Sequence, residues 1–248
     1  MTLPADIVRW LTDPAHWEGP NGIPARLVEH LGICLAALAI AAVLGLLTGI
    51  WVGHTGRRAG LAVNLANFGR ALPTFAVMAI VLPVTAAIDP ELGFKVYPAI
   101  IALAVLAIPP LLVNAYVGIS GVDREIVEAG RASGMRERQV LAQIELPLAV
   151  PAVFTGIRSA TSQVIATATL AAVFGGPGLG RFLIEGLAQQ NSSTNGYAEM
   201  WSAVILIGAL FAVAEGGLAL LQRALTSPGV RTEPAGAATS RREARAEA

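Results

Sequence analysis

The sequence predicts an all-α membrane protein with about five transmembrane helices. Two observations support this prediction. Only 14% of the 248 residues are Asp, Glu, Lys or Arg and 54% are hydrophobic, whereas a typical soluble domain has about 25% charged residues. In addition, residues 31–53 contain no charged side chain, and a helix of that length would cross a bilayer core of about 30 Å.

Charge-poor runs locate the predicted helices and divide the chain. A buried helix of a soluble protein rarely needs so long a stretch without a polar face, so we interpret these runs as membrane spans. Residues 1–30 are predicted to form an external, interfacial segment, residues 31–225 the transmembrane domain, and residues 226–248 a disordered cytoplasmic tail. The five predicted spans lie near residues 31–53, 68–88, 97–119, 150–174 and 201–222.

The distribution of Lys and Arg predicts the orientation of the chain in the cell membrane. Arg9, Arg26, Lys95 and Arg181 fall on one side of the predicted spans, which leaves thirteen of the 17 basic residues on the other side. Because cytoplasmic loops carry the excess of Lys and Arg, the side with thirteen is predicted to be cytoplasmic. The N-terminus is therefore expected outside and the C-terminus inside.

Composition also excludes several functional classes. The 17 basic and 17 acidic residues balance, so a basic face for nucleic acid is not expected. Cys34 is the only cysteine, which excludes a disulfide framework. The three histidines, His16, His30 and His54, are dispersed without metal-ligand spacing. We therefore expect no catalytic set, no metal site and no cofactor on this chain.

Small residues recur at every fourth position of the first predicted span. They would line one face of a helix and allow a neighbouring helix to approach closely, either within the chain or in a dimer. The residues are Ala37, Ala41, Gly45, Gly49 and Gly53.

Prolines interrupt two of the predicted spans. Pro73 and Pro83 lie in the second span, and Pro109 and Pro110 lie in the third. Each removes a backbone donor and can kink a helix for structural reasons alone. Several together favour a channel or transporter, because broken helices are common beside transport pathways.

Two ionisable residues fall within predicted spans. Arg158 lies about two turns into the fourth span, and Glu215 lies about two turns before Arg223 in the fifth. An isolated charge near the bilayer centre costs about 2.5–3.5 kcal/mol on insertion scales. We therefore hypothesise an intramembrane pair between Arg158 and Glu215. The alternative is that both side chains reach water separately.

The predicted cytoplasmic loop, residues 120–148, differs from the rest of the chain because it is rich in charge and has apolar residues at helical spacing. Ser120 and Asp123 predict a capping box. Gly134 suits a helix end that requires positive φ, and Pro147 suits the first turn of the next helix. The pattern predicts two short helices, a glycine turn between them and a proline elbow into the membrane. Such a loop either docks into a groove on a partner or is a solvated connection.

Within this loop, the sequence resembles the EAA motif of ABC importer permeases. The family pattern is Glu-Ala-Ala, three residues, Gly, nine residues, Ile, one residue and Leu-Pro, and this chain departs from it only at Gly130, where the family has Ala. The resemblance implies the five-helix fold of these permeases with cytoplasmic coupling helices. The matching residues are Glu128, Ala129, Gly130, Gly134, Ile144, Leu146 and Pro147.

In that family the motif docks on a separate ATP-hydrolysing subunit. The resemblance implies that Glu128 and Ala129 lie at the docking surface and that Gly134 permits the turn. The last three motif residues would fix the second coupling helix against the membrane domain. Other implied partners are a second permease copy or a paralogue, an external substrate-binding protein and the lipid bilayer, with ATP bound by the partner subunit and no cofactor bound by this chain.

Four further segments resemble permeases of osmoprotectant importers, which carry glycine betaine, choline or carnitine. They are residues 10–14, 21–24, 69–74 and 174–180. The implied function is a permease subunit that translocates an osmoprotectant and is not itself an enzyme. The alternatives are a permease for another small solute such as methionine, whose permeases share the five-helix plan, and a structural membrane protein without a transport role.

Overall fold

A computed structural model describes residues 3–190 and 194–226, and no strand occurs among them. Of the predicted tail, residues 226–248, Thr226 is described and buried, and residues 227–248 lie outside the described residues. The helices are, in chain order, α1 (Leu3–Thr12), α2 (Ile23–Ala41), α3 (Leu47–Thr55), α4 (Ala59–Ala71), α5 (Thr74–Ile88), α6 (Leu92–Lys95), α7 (Tyr97–Ser120), α8 (Arg124–Ala132), α9 (Glu137–Val140), α10 (Leu146–Thr167), α11 (Gly180–Gln189) and α12 (Thr194–Leu225).

Several of these helices join into longer runs. A π-helical turn links α2 to α3 and another links α9 to α10, and a 3₁₀ stretch extends α10. In the described part of the chain, four runs are long and apolar enough to cross a membrane, or five if the bent pair α4–α5 counts as one span. The four runs are Ile23–Thr55, Tyr97–Ser120, Glu137–Phe174 and Gly196–Leu225.

The interruption predicted at Pro73 of the second span, near residues 68–88, is confirmed. The span consists of two helices, α4 and α5, whose axes meet at 89°. The break falls at Leu72 and Pro73, both of which have extended backbone, with ψ angles of 122° and 117°. The reason is local, because a proline disfavours helical geometry in the residue before it and cannot donate to the preceding turn.

The first span begins earlier than the charge-free run suggests. The helix starts at Ile23, with Gly22 at the N-cap and Pro24 in the first turn, where the missing N–H of a proline has no cost. It ends at Gly56, which has a φ of 67° and so takes the left-handed conformation typical of a helix C-terminus.

Close packing on α7 organises the membrane domain. A Cβ added at Gly45 or Gly53 would lie 3 Å or less from an α7 atom, and one at Gly49 would overlap the carbonyl oxygen of Leu112. From α10, Gly156 approaches the same helix, since a Cβ added there would lie 2.8 Å from an α7 carbonyl oxygen. The prediction of intrachain packing for the glycines of the first span is therefore confirmed, and α7 is held between the first span and α10.

The N-terminal segment packs against α11 and α12. Trp10 of α1 is buried, its ring centroid lies 4.1 Å from that of His16, and it meets the ring of Phe182 on α11 edge to face. His16 Nδ1 also lies 2.8 Å from the carbonyl oxygen of Trp10. Since α1 also contacts α12, the segment forms a small cluster of its own beside the spans.

Candidate functional site

The coupling segment, defined here as residues 120–148, begins with a cap at a different residue from the one predicted. Asp123 is the N-cap of α8, and its Oδ1 accepts a hydrogen bond from the backbone N–H of Glu125 at 2.9 Å. Ser120 still belongs to α7, and its hydroxyl donates to the carbonyl oxygen of Tyr116 at 2.7 Å. The predicted capping box of Ser120 and Asp123 is therefore wrong, because the serine hydroxyl is used by the preceding helix.

The turn between α8 and α9 depends on Gly134. Its φ of 83° confirms the predicted positive value. The N–H of Gly134 bonds the carbonyl oxygen of Arg131 at 2.9 Å, and the N–H of Met135 bonds that of Gly130 at 3.2 Å. This pair of bonds is the Schellman arrangement, which satisfies the last carbonyl groups of a helix and favours glycine.

Pro147 lies in the first turn of α10, as predicted, but the predicted elbow before it is wrong. The helical run continues from α9 through a π turn, Leu141–Glu145, into α10, and Pro147 lies exposed within this run. The N–H of Leu146 bonds the carbonyl oxygen of Leu141, five residues earlier. This π turn, whose hydrogen bond spans five residues, lies just before Pro147, which has no N–H to donate. The segment predicted as the second coupling helix is therefore continuous with the membrane-spanning helix.

The inner face of α8 packs on that continuous helix, where two motif residues, Gly130 and Ile144, come into contact. Val127 and Gly130 are buried, and a Cβ at Gly130 would lie 2.5 Å from Ile144 Cδ1. A small residue at position 130 thus allows Ile144 to cover α8. Leu146, the next motif residue, is half-buried. Ile144 therefore contacts the first coupling helix directly.

The exposed surface of α8 carries an apolar residue. Glu128 and Ala129 are exposed, and Ile126 exposes 47% of its surface. In the sequence, Ile126 and Val127 belong to the same group of apolar residues at helical spacing. The structure separates them, since Val127 faces the membrane domain and Ile126 faces outward.

A polar network joins the first span to the coupling segment. Glu145 is only 4% exposed, and its Oε2 lies 2.5 Å from Nδ1 of His54, near the end of α3. His54 Nε2 lies 3.4 Å from Glu137 Oε2. The other oxygen of Glu137 accepts from Arg131 Nε of α8 at 2.9 Å, and this hydrogen bond raises the pKa of the Arg131 guanidinium.

Sequence reasoning missed this network. In the sequence, His54 is one of three dispersed histidines, and Glu145 is one of several charged residues in the predicted loop. The two residues are 91 positions apart, so no local spacing links them. The one available signal was an acidic residue between two apolar motif positions, which needs a partner if it is buried.

The structure places Arg158 and Glu215 in contact. Arg158 Nε donates to Glu215 Oε1 at 2.7 Å, and its Nη2 donates to the same oxygen. Arg158 Nη1 donates to Oε1 of Gln222 at 3.1 Å. The pair ties α10 to α12 while both side chains keep about a third of their surface exposed, 36% for arginine and 30% for glutamate.

The remaining candidate ligands do not form a metal centre. Within residues 3–190 and 194–226, no three His, Cys, Asp or Glu side chains are grouped closely enough to hold a metal ion. His30 is buried with Nε2 lying 3.1 Å from the carbonyl oxygen of Ile165, and Cys34 lies in the apolar core. Both residues therefore have packing roles in the first span.

Comparison with known families decides the class of protein. The sequence profile described as "Binding-protein-dependent transport system inner membrane component" matches residues 41–227. The chain belongs to this family of transport permeases. The matched region contains the coupling segment, the His54 network and the contact between Arg158 and Glu215.

Curated relatives are similar to the permease over most of their own length. It is 33% identical over 192 residues to the choline transport system permease protein OpuBB of Bacillus subtilis, covering 77% of this chain and 85% of the relative. It is 35% identical over 159 residues to the glycine betaine/carnitine/choline transport system permease protein OpuCB of the same organism, covering 64% and 70%.

A solved structure shares the fold of the permease. The match is to a chain of the MetNI methionine ABC transporter in inward-facing conformations, with a TM-score of 0.71 and 20% sequence identity. It covers 87% of this chain and 100% of the other. The all-α transmembrane architecture of an ABC importer permease is thus confirmed.

Proposed function

We propose that this permease imports an osmoprotectant, a small solute with a quaternary ammonium group such as glycine betaine, choline or carnitine, in a complex driven by a separate ATPase subunit. The observation that carries this proposal is the two-faced coupling segment. Its inner face is fixed to the membrane helices, while its outer face presents Ile126, Glu128 and Ala129. A rigid element with an exposed face that carries an apolar side chain suits docking into a groove.

The proposed partners are those that an importer of this family requires. The ATPase subunit would bind ATP and hold α8, a second permease copy or a paralogue would complete the membrane domain, and an external binding protein would deliver the solute. This chain binds no cofactor of its own in the proposal. The named relatives favour an osmoprotectant over methionine, because the methionine transporter is similar in fold at 20% identity and the osmoprotectant relatives reach 33–35%.

Docking is tested by placing a charge on the outer face of α8. Ala129→Arg should abolish co-purification with the ATPase encoded beside this chain and should stop uptake. Ala5→Arg is the matched control, because Ala5 is an exposed alanine of α1 at the opposite end of the proposed topology. Wild-type association and uptake by Ala129→Arg would exclude α8 as the docking element.

The solute is tested by uptake in salt-stressed cells that lack their own osmoprotectant importers. Labelled glycine betaine, choline, carnitine and methionine are compared, with the ATPase and binding protein co-expressed. Uptake of at least one quaternary ammonium solute and not of methionine is expected. The reverse pattern would replace the osmoprotectant proposal by the methionine alternative.

The proposed orientation, with the N-terminus outside and the C-terminus in the cytoplasm, has a separate test. In a Cys34→Ala background, cysteine is introduced at Ala5 of α1 or at Ala132 of α8, both of which are exposed. A membrane-impermeant maleimide should label intact cells only through position 5. Labelling only through position 132 would reverse the topology.

A further inference from the structure

An open cavity lined partly by polar side chains lies between α10 and α12, within two of the membrane-spanning runs. Its volume is about 360 Å³, close to the volume of about 310 Å³ of the groove between α4 and α7. That groove is lined almost entirely by apolar side chains, whereas this cavity combines hydroxyl groups, a cation, an anion and an aromatic ring. The lining residues are Thr155, Arg158, Ser159, Ser162, Phe211 and Glu215.

The cavity lies on a polar face of α10. Three hydroxyl residues of α10, Thr155, Ser159 and Ser162, line it at steps of three or four residues, and the exposed residues of the helix in this region are Thr155, Gln163 and Ala166. The opposite face is apolar and buried, with Phe154, Ala160 and Val164 in contact with the core. By contrast, α12 exposes Val204, Ile205 and Val213. Because polar groups are costly against lipid, the outward face of α10 is better suited to water than to acyl chains.

We propose that this cavity is a transit site on the import pathway for a zwitterion that carries a carboxylate and a quaternary ammonium group. The inference rests on the proposed function. A carboxylate matches the planar donor fork of Arg158. A quaternary ammonium has no N–H to donate, so it is held by charge and by an aromatic face, which Glu215 and Phe211 supply.

The ion pair accounts for the solute-free state of such a site. Without solute, the Arg158 guanidinium and the Glu215 carboxylate satisfy each other, and Gln222 accepts the remaining bond from Arg158. With solute, each charged group exchanges its partner for one end of the zwitterion. Partial exposure of both side chains leaves room for that exchange. Exchange between near-equivalent partners also keeps binding weak enough for release, as transit requires.

The test separates a transit site from a purely structural link between α10 and α12. Arg158→Gln, Glu215→Gln and the double variant are reconstituted in proteoliposomes with the ATPase and binding protein, and thermal stability and the glycine betaine uptake rate are both measured. We expect each single variant to lose stability, and the double variant to recover most of it because no charge remains unpaired. Uptake by the double variant should stay at least about tenfold below wild type, the size of one lost charge-assisted contact.

Two further variants sharpen the test. Phe211→Leu should lower uptake several-fold with little change in stability. Arg181→Gln is the matched control, since it breaks an Arg–Glu pair of similar exposure, 31% and 35%, with Glu185 on α11, and it should leave uptake within about twofold of wild type.

The results that would contradict the transit site differ from the result that would contradict the proposed function. If uptake by the double variant recovers together with its stability, the pair is a structural link and the transit site is excluded. If wild type moves no quaternary ammonium solute although the ATPase associates, the proposed function fails instead. An equal effect of Arg181→Gln would also overturn the site, because uptake would then respond to any lost ion pair.

Discussion

Replacing His54 by leucine should loosen the junction between the first span and the coupling segment. Glu145 is 4% exposed and has its Oε2 2.5 Å from His54 Nδ1. Leucine fills much of the histidine volume but offers no polar atom. The substitution therefore leaves a buried carboxylate without this partner, while the helix α3 that carries position 54 is unchanged.

The expected loss of stability can be bounded from the geometry. A hydrogen bond to a charged group is worth about 1.5–3 kcal/mol, and leaving a buried polar group without a partner costs about 1–3 kcal/mol. His54 is 14% exposed at its side chain, and an open cavity beside the pair, lined in part by both residues, admits water. We therefore expect a loss of about 2–3 kcal/mol. The 59% exposure of Glu137 makes its contact with His54 a minor contribution.

The assay is equilibrium unfolding of the purified permease, together with the ratio of ATP hydrolysed to solute imported in the reconstituted complex. His54→Leu should raise that ratio, because the first span no longer follows the coupling segment. Glu145→Leu in the same background should add little further loss, since no charge remains to be paired. His16→Leu, which removes a histidine hydrogen bond from the N-terminal cluster, is the control and should leave the ratio unchanged.

Two results would refute this reasoning. One is wild-type stability of His54→Leu, which would mean that the contact with Glu145 contributes nothing. The other is full additivity of the His54→Leu and Glu145→Leu losses, which would mean that the two side chains act independently.

Three glycine predictions follow, all measured by thermal unfolding. Gly49→Val should cost at least about 1–3 kcal/mol by overpacking against α7, whereas Gly32→Val, where a Cβ meets no atom within 4 Å, should be close to neutral. Gly134→Ala should cost about 1–2 kcal/mol because φ is 83°, and Gly134→Asn should cost less. Gly130→Ala should be nearly neutral, since only the flexible end of Ile144 must move, whereas Gly130→Phe should separate α8 from the π turn and weaken ATPase association. A neutral Gly49→Val would contradict the close packing of the first span.

Features fixed by local chemistry could be predicted from the sequence. The spans follow from the absence of charge, because a charged group in lipid is costly wherever the helix packs. Gly134 follows from backbone geometry, since the turn needs a positive φ that other residues adopt at a cost. The small residues of the first span predict a close neighbour, although they do not say that the neighbour is α7.

Features fixed by tertiary contacts could not be predicted in the same way. Pro73 predicts an interruption of the second span, but it does not predict the 89° angle between α4 and α5, both of which contact α7. Likewise, Pro147 suggests a helix start, but a π turn before it lets the helix continue. His54 and Glu145 meet only because α3 and the coupling segment end at the same place.

The continuity of α10 with the coupling segment links the two candidate sites mechanically. Glu145, in the π turn that leads into α10, and Arg158, which lines the cavity between α10 and α12, are about 20 Å apart along one helical run at 1.5 Å per residue. A helix packed this closely on α7 moves as a body and does not bend at each residue. Displacement of α8 by a docked ATPase would therefore reach the cavity as a shift of α10 against α12, where the pair of Arg158 and Glu215 lies. On this reasoning, changes at His54 alter the ATP consumed per solute, and changes at Arg158 alter the solute rate, so the two sets of variants should separate coupling from transit.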